Sequence, residues 1–353
     1  MTKISEVDVA SLLGPTPISS VTDAEIWSLL LSPQVKALLG PIESIVGPTL
    51  LETTTPLFPG DEVSNLNNNL LYGGKSGFVR FPYVATIYKT THGALVIKRD
   101  PTKFKVSGWI GDIEKGKAEL FYVVALRDRR FDGTLRANDC AMLGFPYDDP
   151  AFNLPLPHGL NSVEISLYAY MPGSRISHAS GDVELEAFVA NPFSFQDRPE
   201  LFRKLFDKAW TTQRGPGQIA ASIPDVARFV APNFETVAIA KGYDAIEDAA
   251  SHYHVAMYAF AMGYRCTYEN DAKELAALKA GIEAIKKSGI KLTRPQESWV
   301  AVAQSLPAEL IPQGLNLGGP KWIQDNISQK NLWFNKPLNQ KAKDLLVAPI
   351  KRD

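Results

Sequence analysis

From about Gly77 to Asn191 apolar residues tend to alternate with polar ones, and beyond Pro192 they recur every three or four positions. One chain therefore has to accommodate a β-rich part followed by a helical part. Six segments carry the strand signature of Val, Ile, Tyr, Phe and Thr between Gly, Pro, Asp or Asn: Phe78 to Tyr88, Gly93 to Lys98, Lys103 to Trp109, Ala118 to Leu126, Val163 to Tyr170 and Asp182 to Val189. In the fifth, Val163, Ile165 and Leu167 share one face and Glu164, Ser166 and Tyr168 the other. In the sixth, Val183, Leu185 and Ala187 oppose Asp182, Glu184 and Glu186. Short strands with no helices between them predict an antiparallel sheet.

The helical part contains Arg198 to Thr211, Ile223 to Val230, Tyr243 to Gly263, Asp271 to Lys287, Gln296 to Ser305 and Asn339 to Leu346. Asp271 to Lys287 is amphipathic through Leu275, Leu278, Ile282 and Ile285, whereas Tyr243 to Gly263 is apolar nearly all round and reads as a buried helix. Ahead of the strands, Thr22-Asp23-Ala24-Glu25 is a capping box opening a short helix, and a second helix starts near Pro33 and stops at Gly40-Pro41. Pro48, Pro56, Pro59 and Gly60 then predict an irregular connector. The expected fold class is α+β, with an antiparallel β-sandwich or barrel-like centre, a helical C-terminal half and an N-terminal arm. The expected domains are 1–76, a helical arm and irregular connector, 77–192, a β-rich core, and 193–353, a mainly helical domain with an extended C-terminal arm.

Most motif-based chemistry is excluded by spacing. Gly73-Gly74-Lys75-Ser76 ends like a phosphate loop, but Asn69 stands where the first glycine is needed and a strand follows instead of a helix. His252 and His254 on one helix point about 200° apart and cannot share an ion, so buried or hydrogen-bonded histidines are expected. His92, His158 and His178 fall in turns. No Gly-x-Ser-x-Gly elbow occurs, Cys140 sits beside Asp139, and Cys266 reads as a small core residue. Asp132, Asp139, Asp148 and Asp149 read as turn formers in a long loop. No catalytic, cofactor-binding or metal-binding residue is assigned, no cofactor is expected, and the reading leans away from an enzyme.

Arg127, Arg129, Arg130 and Arg136 form the densest basic patch, read first as a solvated or salt-bridged loop. The C-terminus from Lys321 to Asp353 holds six lysines and one arginine against three aspartates, while the first 60 residues hold two lysines and six acids. Arg129, Arg130, Lys341 and Lys343 are the candidate nucleic-acid contacts, weak and electrostatic. Leu57, Phe58, Tyr72, Trp322, Trp333 and Phe334 lie in proline-broken ends and are the candidate intersubunit anchors, since exposed aromatics are unfavourable in water and depleted from disordered tails.

Asn161 to Pro192 resembles the last hairpin of jelly-roll coat proteins from small icosahedral RNA viruses: a crossing strand at Val163 to Tyr170, a Pro/Gly/Ser loop, and a final strand at Asp182-Val183-Glu184-Leu185. The resemblance covers about 32 of 353 residues, and it implies a β-sandwich shell subunit. With it, the expected function is a self-assembling structural protein, a viral capsid (coat) subunit, whose partners are copies of itself and nucleic acid held by weak contacts. A soluble hydrolase or lyase using the 127–149 loop and a ligand-binding sandwich module are the alternatives. Met1 to Gly14 carries acids in place of a signal peptide and no apolar window is long enough for a membrane helix, so cytoplasmic synthesis, assembly into a virion or shell, and no membrane partner are expected.

Overall fold

The structure, a computed structural model, describes residues 16–51, 56–61, 83–129, 156, 159–318 and 332–351. In chain order a turn at Ile18–Ser20 and a helical turn at Asp23–Glu25 running into a π-helix at Ile26–Leu30 precede helix α1 (Pro33–Leu39). Strands β1 (Ile42–Leu51), β2 (Tyr83–Thr90), β3 (Gly93–Asp100), β4 (Lys103–Asp112), β5 (Lys117–Asp128) and β6 (Ser162–Ala169) follow. Then come α2 (Ile176–Ser180), α3 (Val183–Ala190), α4 (Pro199–Thr211), α5 (Val226–Ala240), β7 (Ala245–Ala250), α6 (Tyr253–Ala261), β8 (Arg265–Cys266), α7 (Glu269–Lys287), α8 (Arg294–Ala303), β9 (Leu332–Pro337) and α9 (Gln340–Leu345). The chain is α+β, with a mostly antiparallel, open sheet. None of the described helices is long and apolar enough to cross a membrane.

Two compact bodies share the chain: Met1–Pro172, Ser222–Glu247 and Pro337–Leu345 in one, Gly173–Ala221, Asp248–Lys336 and Leu346–Asp353 in the other. In the first, β1 to β6 run up and down in sequence order, and β7 pairs parallel to β6 with Val163 opposite Ile246 and Glu164 opposite Glu247. One sheet face is apolar. Ile97, Phe104, Val106, Tyr122, Val124, Leu126 and Val163 lie buried there, and α1 packs on β3 and β4 while α5 packs on β6. Helices thus occupy the place that a second sheet takes in a sandwich. The capping box read from the sequence is formed, with the Thr22 amide donating to Glu25 at 2.6 Å and the Glu25 amide to the Thr22 hydroxyl at 3.2 Å.

In the second body the core is aromatic. Phe188 stacks on Trp299 at 5.4 Å and meets Phe202 edge-on at 5.1 Å, and the Trp299 indole donates to the Arg214 carbonyl at 2.6 Å. Each such ring, once buried, contributes on the order of 1.5–3 kcal/mol. β8 and β9 pair antiparallel, Cys266 opposite Phe334.

Three expected elements are corrected. Residues 42–51, expected as an irregular connector, are strand β1, which absorbs Pro48 because it pairs only with β2 among the described strands and its register shifts between Val46 and Thr49. A proline is tolerated at such an edge, where no ladder bond is lost. Asp182 to Val189, expected as the last strand of the coat-like hairpin, is helix α3: the Asp182 carboxylate caps it by accepting from the Leu185 amide at 2.9 Å, and Leu185, Phe188 and Val189 are buried at helical spacing. Tyr243 to Gly263, expected as one buried helix, is β7 followed by α6, because an apolar run is equally compatible with a buried strand.

Candidate functional site

The second face of the sheet in the first body is divided. At one end Ala94, Val96, Trp109 and Ile113 form an apolar cluster with Phe58, whose ring meets Trp109 edge-on at 5.3 Å. At the other end the strands present charge. Strand register sets Asp100 beside Lys103, Lys103 beside Arg127, Arg127 beside Glu164, and Glu164 beside Glu247, with Lys98 beside Lys105 in the next row. All of these side chains are buried.

Buried charges are tolerated only when they are paired and hydrogen-bonded. Glu164, 1% exposed, accepts from both Arg127 and Arg129, at 3.1 Å from Arg127 Nε and 3.1 Å from Arg129 Nη1. Arg129 Nε also lies 3.8 Å from Glu247, which accepts from the Ser162 hydroxyl. Lys98 Nζ donates to both oxygens of Asp61, at 2.6 and 2.7 Å, and lies 5.2 Å above the Tyr83 ring. Burial, seconded by the Asp61 carboxylate, pushes the Tyr83 phenol up to about 12. On the opposite face Tyr243 donates to Asp128 at 2.6 Å and accepts from the Ile18 amide at 3.0 Å.

Lys105 departs from this pattern. It is 5% exposed, and neither a hydrogen bond nor an ion pair joins its amine to any described residue. Burial first, then the neighbouring Lys98 and Lys103 charges, lower its amine to about 7, with Asp61 opposing.

The edge strand shows the reverse imbalance. Ile42, Ile45, Val46 and Leu50 of β1 are 45%, 58%, 44% and 69% exposed, and Glu43 is the one charge in the strand.

In the second body His252 and His254 stack at 5.7 Å, each bound to a serine: His252 Nδ1 to Ser251 Oγ at 2.8 Å, His254 Nδ1 to Ser298 Oγ at 3.0 Å. Burial lowers them to about 3 and about 4. They are not on one helix as expected, since His252 is the extended residue that precedes α6. Cys266 is buried as expected but on β8, with its thiol pushed up to about 12 by burial. Among the described residues no group of three or more His, Cys, Asp and Glu could hold a metal ion.

The residues singled out from sequence scatter. Arg129, expected as a nucleic-acid contact, is instead buried in the Glu164 ion pair, because β5 extends to Asp128 and carries it under the face. Lys343 is exposed on α9, and Lys341 there bonds Asp244 at 3.0 Å. Phe58, expected as an intersubunit anchor, is held in its own chain by Trp109, with Leu57 half-buried against the same cluster. Phe334, another expected anchor, is fully buried and meets Phe260 edge-on at 5.3 Å, while Trp333 is half-buried. Arg130, Tyr72, Trp322, the Gly73 to Ser76 motif, Cys140 and the four loop aspartates lie outside the described residues. Sequence reasoning missed the buried charges of Lys98, Lys105 and Glu164 and the exposed strip of β1. No family model matches the sequence, and no curated protein or solved structure matches it either.

Proposed function

We propose that this chain is a self-assembling structural protein, a viral coat or shell subunit whose partners are copies of itself. The observation that carries the reading is β1, an edge strand with four exposed apolar side chains. An apolar edge with unpaired backbone groups is a template for another strand. A second β1 is the occupant that its sequence fits: antiparallel pairing about Val46 sets Ile42 opposite Leu50 and Glu43 opposite Thr49, so apolar residues meet and the two acids do not. The internal use of Phe58 and Phe334 moves the proposed contact from the anchors expected earlier to this strand.

The up-and-down order of β1 to β6 supports a β-centred subunit, and the helix in place of the final strand weighs against its jelly-roll form. In this reading the exposed Lys341 and Lys343 would meet any packaged nucleic acid, and Arg129 would not. Light scattering coupled to size-exclusion chromatography, followed by electron microscopy, tests the proposal. Mass rising with concentration towards closed particles is expected; a monomer at every concentration would overturn it.

A further inference from the structure

Lysines this deeply buried are costly as cations, and the first body buries three on one patch of sheet. Lys98 is neutralised by both oxygens of Asp61. Lys103 lies two residues from Lys105 on the same face of β4, its amide donating to Asp100 at 3.1 Å, and Lys98 is the direct cross-strand partner of Lys105. The charges that act on Lys105 are therefore two cations and one carboxylate, and they disfavour a third cation there. We propose that Lys105 is a carbon dioxide-binding site, its buried amine adding CO2 to become a carbamate flanked by Lys98 and Lys103.

Three properties of the patch fit this chemistry. The attacking species must be the neutral amine. At about 7, Lys105 is roughly half neutral near neutral pH, whereas a surface lysine at ~10.4 offers roughly one neutral amine in a few thousand. The product is an anion, and the neighbouring cations that oppose an ammonium favour a carboxylate in its place. Carbon dioxide is small and carries no charge, so entering a buried patch costs it no desolvation of an ion. The step balances without a redox partner: the nitrogen lone pair forms the N–C bond, one C–O π pair moves onto oxygen, and the displaced N–H proton passes to solvent.

The test uses the full chain equilibrated near neutral pH with isotope-labelled bicarbonate, trapped with triethyloxonium ion, digested and mapped by mass spectrometry. Trapped carbamate on the Lys105 peptide at least about tenfold above any surface-lysine peptide is expected, given the ratio of neutral amines. The carbamate carbon signal in the NMR spectrum should disappear in Lys105→Met, which removes the amine and keeps an apolar stem. Should that variant not fold, peptide mapping of the wild-type chain still decides. Label confined to the N-terminal amine, or spread equally over surface lysines, would overturn the proposal.

Discussion

β1 and β4 are strands of equal length, ten residues each, and they invert the usual rule. β1 is mostly apolar and nearly all exposed; β4 carries Lys103 and Lys105 and buries both. The difference is position: β1 ends the order of strands and, among the described strands, pairs only with β2, while β4 has a neighbour on each side and cover on both faces. Burial in this sheet is thus decided by topology more than by side-chain type. Each strand is left with a physical debt, apolar area in one case and desolvated charge in the other. On the charged face around β4, Lys98 is met by Asp61 and Arg127 and Arg129 by Glu164, whereas Lys105 finds no such carboxylate among the described residues. The apolar area of β1 is left exposed, and in the proposed assembly a second copy of the chain covers it.

The largest expected effect breaks the buried side of the comparison. Glu164→Ala leaves Arg127 and Arg129 without the carboxylate that both share, and about 3–5 kcal/mol of stability should be lost in denaturant melts. Arg127→Met combined with Glu164→Leu, which removes the Arg127 pair together, should cost less than the two single changes summed. Additive losses would show that the pair is not coupled.

A smaller effect sharpens the case of Lys105. Its amine is lowered from 10.5 to about 7 on folding, so between those values the unfolded chain binds the extra proton. Stability should therefore rise as pH increases from about 7 towards 10.5, and the penalty is fully present below about 7. The pH slope of wild type minus that of Lys105→Met, read from urea melts, isolates the contribution; identical slopes would contradict a buried amine whose charge is disfavoured by folding. The smallest effect on the single chain belongs to the exposed side. Ile45→Lys on β1 should change monomer stability by no more than about 0.5 kcal/mol, as exposed substitutions do, yet abolish concentration-dependent association. A large loss of monomer stability would mean that the strip is already covered by its own chain.

The inversion also explains what could be read from the sequence. β3 to β6 were legible because Val106 and Ile165 alternate with polar neighbours and Ala94 to Ile97 and Leu120 to Leu126 are short runs rich in Val, Ile, Leu, Phe and Tyr. The same alternation makes Lys98, Lys105 and Glu164 look solvent-facing, since a period of two fixes which residues share a face and says nothing of what lies over it. β1 was hidden by Pro41, Gly47 and Pro48, which punctuate a strand only tolerable at an edge. Helix α3 was misread because eight residues beginning Val-Glu-Leu-Glu satisfy alternation as well as helical spacing, and the Asp182 cap decides between them. Arg129 was read as a loop residue, and the two acids that bury it stand 35 and 118 positions further along the chain.

Amide hydrogen exchange across Ile42–Leu51, followed by mass spectrometry at low and high protein concentration, tests self-association through β1 most directly. Amides on the outer edge of β1 should become protected as concentration rises, while those of β4 stay equally slow throughout. Exchange in β1 that is the same at both concentrations would contradict strand pairing between copies.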